Sequence, residues 1–410
     1  MALIRPFRAL RPQEELAARV AALPYDVYSS KEARLETARE PLSFLNIDRA
    51  ETQFPSEVDI YAPEVYEKAG ELLREQEKKG IYQQDSEEHF YLYELTMDGR
   101  TQTGICACAS VEDYWNRVVV KHENTREDKE RDRVKHVDSC NAQTGPVFLA
   151  HRPHRKLAEI RRRGRLQQPL YDFTAPDGIR HRIWSLPVEE NEQIIESFQE
   201  IGQLYIADGH HRAAAAARVC QNRRAQAGTY TGQEEWNYFL SVVFDEQELK
   251  ILDYNRAVRD LNGRTPQTFL EEVGERATVI PCTRKEARPV KKGEIGLYLK
   301  GQWYRLCLKN PDGDNPVKNL DVSLLQDQIL DPILGIADPR KDSRIDFIGG
   351  IRGMEELERR VSTDCQVAFL MYPTTMEELF AVADAGLLMP PKSTWFEPKL
   401  RSGLLIHKLQ

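Results

Sequence analysis

The spacing of apolar residues along the chain predicts a mixed α+β protein. Residues 204–206 (Leu-Tyr-Ile) are typical of the end of a buried strand, Asp208 and Gly209 of a sharp turn, and the alanine run 213–217 of a helix. Turn residues between strand-like runs predict β-hairpins at 90–111, 171–184 and 295–308. Helical spacing predicts the other long elements at 14–22, 63–77, 189–201, 266–275, 321–329 and 376–385. Further strands are predicted at 238–244, 249–255 and 367–372.

Composition narrows the class of protein. At 410 residues the chain is long enough for roughly two or three domains. Its 41% hydrophobic and 30% charged residues are ordinary for a soluble globular protein. The net charge of −8 gives no general affinity for nucleic acid, whose binders carry a basic excess. The arginine-rich residues 152–165 are a local exception, which we interpret as a solvated helix face and loop.

The cysteines and the first residues bear on the compartment. The 7 cysteines are scattered, with no CxxC pair and no His/Cys cluster at zinc spacing. Cys106 and Cys108 alternate within a predicted strand, where core packing explains them. The N-terminal residues contain no apolar segment of signal-peptide or membrane-span length. We therefore expect a reducing, cytoplasmic setting and no membrane partner.

The strand-turn-helix segment 204–217 carries the strongest candidate chemistry. At a helix start the first backbone N–H groups lack intrahelical partners and the macrodipole is positive, which favours a bound phosphate. Gly209 lets the backbone approach a ligand closely. The side chains around it supply a carboxylate and cationic or donor groups: Asp208, His210, His211 and Arg212. Such a cluster can cradle phosphate and position a metal or a hydroxyl.

The same turn also has a purely structural interpretation. Asp208 could serve as an N-cap, and paired histidines at a helix start are often merely solvated. Against this, cations in a first helical turn oppose the dipole, so two histidines and an arginine are poor choices for stability alone. We therefore expect a ligand site at this turn.

A second stretch, residues 121–136, consists almost entirely of charged residues and histidines. Its structural interpretation is a solvated helix with i, i+4 ion pairs. That interpretation does not suit its beginning, because His-Glu-Asn-Thr at 122–125 packs several hydrogen-bonding functions before a helix can start. The candidate site residues in this stretch are Lys121, His122, Glu123 and Arg126.

Two other stretches carry isolated candidates. Asp26, in the extended segment 24–27, is either a turn residue before a helix or a second acid for the site. Lys392 and Thr394, beside two prolines, either bind phosphate oxygens or only cap and turn the chain. The sequence alone leaves both alternatives open.

Several of these stretches form an ordered set of motifs, at residues 4–12, 24–27, 121–125, 141–146, 206–212 and 389–399. Through them the chain resembles the bacterial "domain of unknown function 1015" family over essentially its whole length. That family name implies no activity. A more distant resemblance is to the ParB/sulfiredoxin superfamily. The features that carry it are an Ile-x-Pro segment with a following arginine, and then a strand, an Asp-Gly-His-His-Arg turn and an alanine-rich helix. Within that superfamily they resemble the kinases that phosphorylate free serine.

The kinase resemblance implies roles for the candidate residues. In those enzymes the matching turn holds nucleotide phosphates and an acid deprotonates the serine hydroxyl. By this resemblance Asp208 coordinates Mg²⁺ or contacts the hydroxyl, and the phosphate ligands are Gly209, His210, His211 and Arg212. Residues 27–203 separate the two halves of the pattern, so alignment does not identify the catalytic acid; Glu123 is preferred as general base and Asp26 is second. The candidate substrate ligands are Arg8, Lys121, His122, Arg126, Lys392 and Thr394.

These assignments predict a kinase-type transferase that acts on a small hydroxyl metabolite. The expected pair is free L-serine and O-phosphoserine, with ATP or ADP as phosphate donor and Mg²⁺ as cofactor. The direction of transfer stays open because phosphoryl transfer between similar donors is reversible. An alternative from another class is a nucleotide-binding regulator without turnover. A ParB-like nuclease or DNA-binding protein is disfavoured by the acidic charge and by the absence of a basic helix-turn-helix pattern.

The expected fold is α+β with mixed sheets. We expect a discontinuous ParB/sulfiredoxin-like core from residues 1–50 and 190–260, a β-rich insertion from 51–189, and a C-terminal α/β portion from 261–410. If the insertion folds over the core, Glu123 and Asp208 should lie in one cleft. The oligomeric state does not follow from the sequence.

Overall fold

The structure is a computed structural model that describes residues 1–309 and 313–410. The chain forms two compact units, a first unit of Met1–Leu249 with Pro398–Gln410 and a second unit of Lys250–Glu397. Both contain helices and sheets, so the expectation of an α+β protein with mixed sheets is confirmed. Within the described residues, no helix combines the length and the apolarity needed to cross a bilayer.

The first unit contains most of the elements. Its strands are β1 (Ile4–Arg5), β2 (Leu10–Pro12), β3 (Tyr82–Gln84), β4 (Tyr91–Met97), β5 (Arg100–Ser110), β6 (Val119–Val120), β7 (Ala142–Gln143), β8 (Val147–His151), β9 (Tyr171–Thr174), β10 (Arg180–Ser185), β11 (Leu204–Asp208), β12 (Tyr238–Asp245) and, near the end of the chain, β21 (His407–Lys408). Its helices are α1 (Ala17–Val20), α2 (Ser30–Arg39), α3 (Leu45–Asp48), α4 (Pro63–Lys78), α5 (Val111–Trp115), α6 (Glu127–Cys140), α7 (Arg155–Gly164), α8 (Asn191–Gln199) and α9 (His210–Ala227).

The elements of the second unit lie between β12 and β21 in the chain. Its strands are β13 (Ile251–Leu252), β14 (Tyr254–Val258), β15 (Ala277–Cys282), β16 (Glu294–Leu299), β17 (Gln302–Leu308), β18 (Ile345–Gly349), β19 (Val367–Leu370) and β20 (Trp395–Phe396). Its helices are α10 (Pro266–Arg276), α11 (Asp321–Leu325), α12 (Gly353–Thr363) and α13 (Met376–Asp384).

A nine-stranded sheet organises the first unit, in the order β6-β11-β8-β12-β5-β4-β10-β9 with β1 added to β5. Asp98 and Gly99, with φ of 51° and 77°, close the β4–β5 hairpin as the turn pair predicts. Ala213 and Ala217 of α9 lie in the same core as Ile206 of β11. Because alanine side chains are small, α9 packs closely on the sheet. The helix starts directly after β11.

This sheet crosses the domain boundaries expected from the sequence. β5, in the expected insertion, pairs with β12 from the expected core, and β6 of the insertion pairs with β11. Near the end of the chain, β21 returns to pair with β7. Residues 51–189 and Pro398–Gln410 therefore belong to the same compact unit as the N-terminal segment, since hydrogen bonds between strands tie them into shared sheets.

The second unit is built on a six-stranded antiparallel sheet of order β15-β17-β16-β19-β14-β18. Lys300 and Gly301, with φ of 46° and 83°, close the predicted β16–β17 hairpin. The strand predicted at 249–255 is divided between β13, which pairs with β20, and β14, which joins the large sheet. The helix predicted at 321–329 is α11 followed by a π-helical turn, Gln326–Leu330.

Candidate functional site

Two polar segments of the first unit meet at one edge of the nine-stranded sheet. β11 and β6 are parallel neighbours, with Leu204 opposite Val119 and Tyr205 opposite Val120. Because the carboxyl ends of adjacent parallel strands lie at the same edge, the segments that follow them are brought together. Residues 121–126 follow β6 and the Asp-Gly-His-His-Arg turn at 208–212 follows β11. The two stretches that the sequence selected separately therefore lie next to each other.

The turn between β11 and α9 has the geometry of an anion site. Gly209 precedes the helix with φ 91° and ψ 30°, a left-handed conformation that favours glycine. The hydrogen bond from Ala213 N–H to Gly209 O closes the first helical turn. The backbone N–H groups of His210 and His211 thus have no partner within the helix and lie at the positive end of its dipole. An anionic group is favoured at this position.

The two histidines of the turn hold the segment 121–126. Nε2 of His211 accepts from the backbone N–H of Arg126 at 3.0 Å, and Nε2 of His210 accepts from the backbone N–H of His122 at 3.5 Å. A nitrogen that accepts from an N–H carries no proton, so each ring has its proton on Nδ1. Burial lowers the pKa of both histidines, that of His210 well below its usual range. They act as neutral hydrogen-bonding groups and not as the cations that the sequence allowed.

His122 lies beneath this contact. Its ring is 0% exposed and stands edge-on to the ring of His210, with 4.5 Å between the centroids. Burial lowers the pKa of His122 to about 4, so it is neutral at physiological pH. His122 therefore packs beside His210, and its contact with substrate stays a prediction.

Glu123 is positioned at the opening of the site. Its Oε2 lies 3.9 Å from Nδ1 of His210, and its side chain is 40% exposed. The Nδ1–H of His210 therefore faces the carboxylate, which stays accessible to a ligand. Lys121, which is exposed, and Asp208 both act electrostatically on the same imidazole of His210. Glu123 and Asp208 thus both lie near His210, and their position in one cleft stays a prediction.

Asp208 is engaged by a lysine that the sequence did not single out. Nζ of Lys399 lies 3.2 Å from Oδ2 of Asp208, and Nη2 of Arg212 lies 3.8 Å from the same oxygen. Burial alone raises the pKa of the Asp208 carboxyl, but the positive charges of Lys399 and Arg212 outweigh it and hold the pKa well below its usual range. Asp208 is therefore a fixed carboxylate and a weak base.

Lys399 could have been found only through the motif at 389–399. That motif contains two lysines, and the sequence favoured Lys392 because prolines and hydroxyl residues surround it. Only the return of residues Pro398–Gln410 to the first unit brings Lys399 to Asp208.

Arg212 is held in place by the loop before β8. Its Nη1 donates to the carbonyl oxygen of Pro146. A Cβ at Gly145 would make an ordinary contact with Nη1 of Arg212 at 3.6 Å and a tight one with Oγ of Ser402 at 3.0 Å. The motif at 141–146 thus positions the arginine of the turn.

The first unit contains two cavities that share lining residues. One, of about 40 Å³, is lined by Arg212 and Gly145. The other, of about 300 Å³, has Asp26 on its wall. The cavities share Tyr25, Asp48, Arg133 and His136 as lining residues. The negative charge of Asp26 also acts on His211, so the larger cavity lies beside the turn.

Other predicted site residues have different contacts. The guanidinium of Arg126 pairs with Asp128 at 2.7 Å, so this residue joins the site through its backbone N–H. Arg8 is exposed and its Nε donates to the backbone oxygen of Asp85 at 3.0 Å. Lys392 and Thr394 belong to the second unit, where the Lys392 ammonium lies 5.6 Å from the centre of the Tyr254 ring.

Asp208, the predicted Mg²⁺ ligand, forms an ion pair in the structure. Its carboxylate already contacts Lys399 at 3.2 Å and accepts from the backbone N–H of Gly209 at 2.9 Å. No group of three or more His, Cys, Asp or Glu side chains suited to a metal ion occurs in residues 1–309 and 313–410. Mg²⁺ is usually held by one or two carboxylates together with substrate phosphates, so Asp208 as a Mg²⁺ ligand stays a prediction.

The chain is similar to one protein family and to several solved structures. The model of the family "Protein of unknown function (DUF1015)" matches residues 4–323. No curated protein matches the chain. A free serine kinase in complex with AMP is similar at 13% identity and a TM-score of 0.37, covering 72% of this chain and 91% of the kinase. SbnI with a C-terminal truncation, from Staphylococcus aureus, is similar at 11% identity and a TM-score of 0.36, covering 72% and 85%.

Proposed function

Because the chain belongs to the DUF1015 family, whose function is unknown, we propose a function from its own site: a phosphotransferase that moves a phosphoryl group between a nucleotide and a small hydroxyl metabolite. The proposed pair is free L-serine and O-phosphoserine, with ATP or ADP as donor. One observation carries this proposal. The start of α9, which favours an anion, begins at His210, and Oε2 of Glu123 lies 3.9 Å from Nδ1 of that histidine.

The first requirement of phosphoryl transfer is a set of donors around the phosphoryl oxygens. The backbone N–H groups at the start of α9 and the guanidinium of Arg212 are suited to this task. The ammonium of Lys399 adds a second positive charge 3.2 Å from Asp208. Asp208 in this scheme orients Lys399 and Arg212 and does not take the proton.

The second requirement is a base for the acceptor hydroxyl. We assign this role to Glu123, whose carboxylate is partly exposed and faces Nδ1–H of His210 at 3.9 Å. As the hydroxyl proton passes to Glu123, the hydroxyl oxygen forms a bond to the terminal phosphorus. The bond from that phosphorus to the bridging oxygen breaks, and the nucleotide leaves with the electron pair. Asp26, on the wall of the larger cavity, is the second candidate base.

The size and lining of the larger cavity suit a small substrate. Its volume of about 300 Å³ is at the lower end of the range typical of small-molecule sites. Positive and negative groups both line it, including Arg133 and Asp48. A zwitterionic amino acid matches this mixture of charges.

A direct assay tests the proposal. The purified full chain, incubated with L-serine, Mg²⁺ and ATP or ADP, is expected to form O-phosphoserine. Glu123→Gln should lower the rate by about 10²- to 10⁴-fold, the usual contribution of a general base. Glu127→Gln, four positions along the same segment and 87% exposed, is the matched control and should leave the rate unchanged.

Two outcomes would contradict the proposal. If activity is unchanged in Asp208→Ala, the Asp-Gly-His-His-Arg turn takes no part in the mechanism. Tight nucleotide binding in titration calorimetry, with no product from any hydroxyl amino acid, would instead identify a nucleotide-binding regulator.

A further inference from the structure

Arg256 occupies a position in the second unit where an apolar residue is expected. It lies in the middle of β14, which is flanked on both sides by β18 and β19. Residues alternate between the two faces of a strand, so Arg256 shares a face with Val258. Val258 belongs to the core that also contains Val322 and Leu330. Arg256 itself is only 3% exposed.

This buried guanidinium has no acidic partner among the described residues. Its Nη1 donates to the backbone oxygen of Tyr254, and its Nη2 donates to the backbone oxygen of Lys392 at 3.2 Å. The guanidinium also lies over the ring of Phe347, whose centre is 5.3 Å away. Burial lowers the pKa of Arg256 to about 10, so the group is still charged at neutral pH. A buried charge without a counter-ion is costly to fold, and an anionic ligand removes that cost when it binds.

A cavity of about 410 Å³ lies beside Arg256. Its walls are largely apolar and include Val322, Leu330, Phe347, Pro390 and Pro391. Arg340 and Asp338 also line the cavity, and they pair with each other at 3.0 Å. The volume is within the range of small-molecule sites, which are usually lined by apolar side chains with a small number of polar groups.

The cavity wall contains an unusual piece of backbone. Gln326–Leu330 forms a π-helical turn, and both end residues line the cavity. Such turns are rare and are found frequently at functional sites. Nε2 of Gln326 donates to the backbone oxygen of Ile336 at 2.7 Å, which fixes its side chain in the wall. The π-helical turn is a local feature independent of the charge on Arg256.

We propose that the second unit binds a small metabolite with one acidic group and an apolar part, its carboxylate or phosphate on Arg256 and its apolar part against Phe347 and the two prolines. Two of the five N–H groups of the guanidinium are used by Tyr254 and Lys392, so three remain for two oxygens of the ligand. This site is independent of the proposed phosphotransferase function.

Titration calorimetry of the full chain tests the site with three probes. Phenylacetate supplies a carboxylate on an apolar ring, phenyl phosphate supplies a phosphate on the same ring, and phenylacetamide has the ring without the charge. Saturable binding of at least one acidic probe, with no binding of phenylacetamide, is expected. The acidic probe that binds more tightly shows whether the site prefers a carboxylate or a phosphate. Failure of both acidic probes to bind, or equal binding of phenylacetamide, would overturn the proposal.

Matched variants locate the binding to the cavity. Arg256→Gln is expected to weaken the acidic probe by about 10- to 100-fold, the effect of losing a charged hydrogen-bond donor. Arg259→Gln removes an arginine just beyond the end of the same strand whose side chain is 50% exposed, and it should leave binding unchanged. Ala337→Trp is a second variant in case Arg256→Gln does not fold. It keeps Arg256 and fills the exposed side of the cavity, so it should abolish binding of the acidic probe. Unchanged affinity in Ala337→Trp would place the probe elsewhere and reject the site.

Discussion

The backbone N–H of Arg126 donates a hydrogen bond to Nε2 of His211, with 3.0 Å between the nitrogens. His122 makes a longer contact of the same kind to His210. The candidate base Glu123 lies between these two anchored residues in the chain. His210 and His211 therefore position the candidate base Glu123, although neither histidine carries a charge at neutral pH.

This contact predicts the effect of removing the His211 ring. In His211→Ala the amide of Arg126 loses its acceptor, a loss of about 0.5–1.5 kcal/mol, and should exchange its proton about 2- to 10-fold faster. Hydrogen exchange measured residue by residue checks this. His211→Gln keeps an acceptor oxygen and should restore part of the protection, while His154→Ala, outside the site, should change nothing. Equal exchange of the Arg126 amide in His211→Ala and the unmodified chain would show that the histidine does not hold the segment.

Lys399 is expected to control the ionisation of Asp208. In Lys399→Met the pKa of Asp208 should rise, because a positive charge 3.2 Å away is removed. Carboxyl resonances followed by NMR during acid titration measure it. Lys408→Met, in the same terminal segment but paired with Glu77, is the control and should leave Asp208 unaffected.

The same pair has a defined pH dependence for stability. The pKa of Asp208 is lowered by folding, so its stabilising contribution is complete above the unfolded pKa, about 3.9, and is lost as pH falls through the lower folded pKa. The stability difference between the unmodified chain and Lys399→Met should therefore be largest above about pH 5 and should shrink in acid. Urea denaturation at several pH values measures this difference. A difference that grows as pH falls would contradict the ion pair.

His122 gives a second pH dependence, in a higher range. Its pKa is lowered from 6.5 to about 4, so the unfolded chain takes up a proton at this residue before the folded chain does. Stability should fall between about pH 6.5 and 4, by on the order of 3 kcal/mol from this residue. His122→Gln should flatten the curve in this range, and His154→Gln should not flatten it to the same extent. An unchanged slope in His122→Gln would show that the residue titrates normally.

The two ends of α9 allow backbone strain to be separated from displacement of Arg212. Gly209 and Gly228 both have positive φ, 91° and 70°. A Cβ at Gly209 would meet Nε of Arg212 at 3.0 Å, whereas a Cβ at Gly228 would meet nothing within 4 Å. Each alanine variant should lose about 1–2 kcal/mol of stability from the left-handed backbone. Only Gly209→Ala should also weaken nucleotide binding, measured by calorimetry, and equal binding in both variants would contradict the role of Arg212.

The sequence by itself determined the local elements and the central motif. Turn pairs such as Asp98-Gly99 and Lys300-Gly301 were predicted because positive φ at adjacent residues suits few residue types. The start of α9 was also predicted, because Gly209 and the alanine run lie within a few residues of each other in the sequence. Periodicity cannot assign a strand to its partner, and so the boundary between the units was not predicted.

Only the tertiary structure decided which distant residues complete the sites. Parallel pairing of β6 and β11 brings Glu123 to His210, and the return of the chain at Pro398 brings Lys399 to Asp208, 191 positions away. The neutral state of the histidines and the isolation of Arg256 also depend on burial, which is a property of the folded molecule. Local sequence sets backbone conformation and residue chemistry, whereas contacts between distant segments arise from sheet pairing and from the exclusion of water.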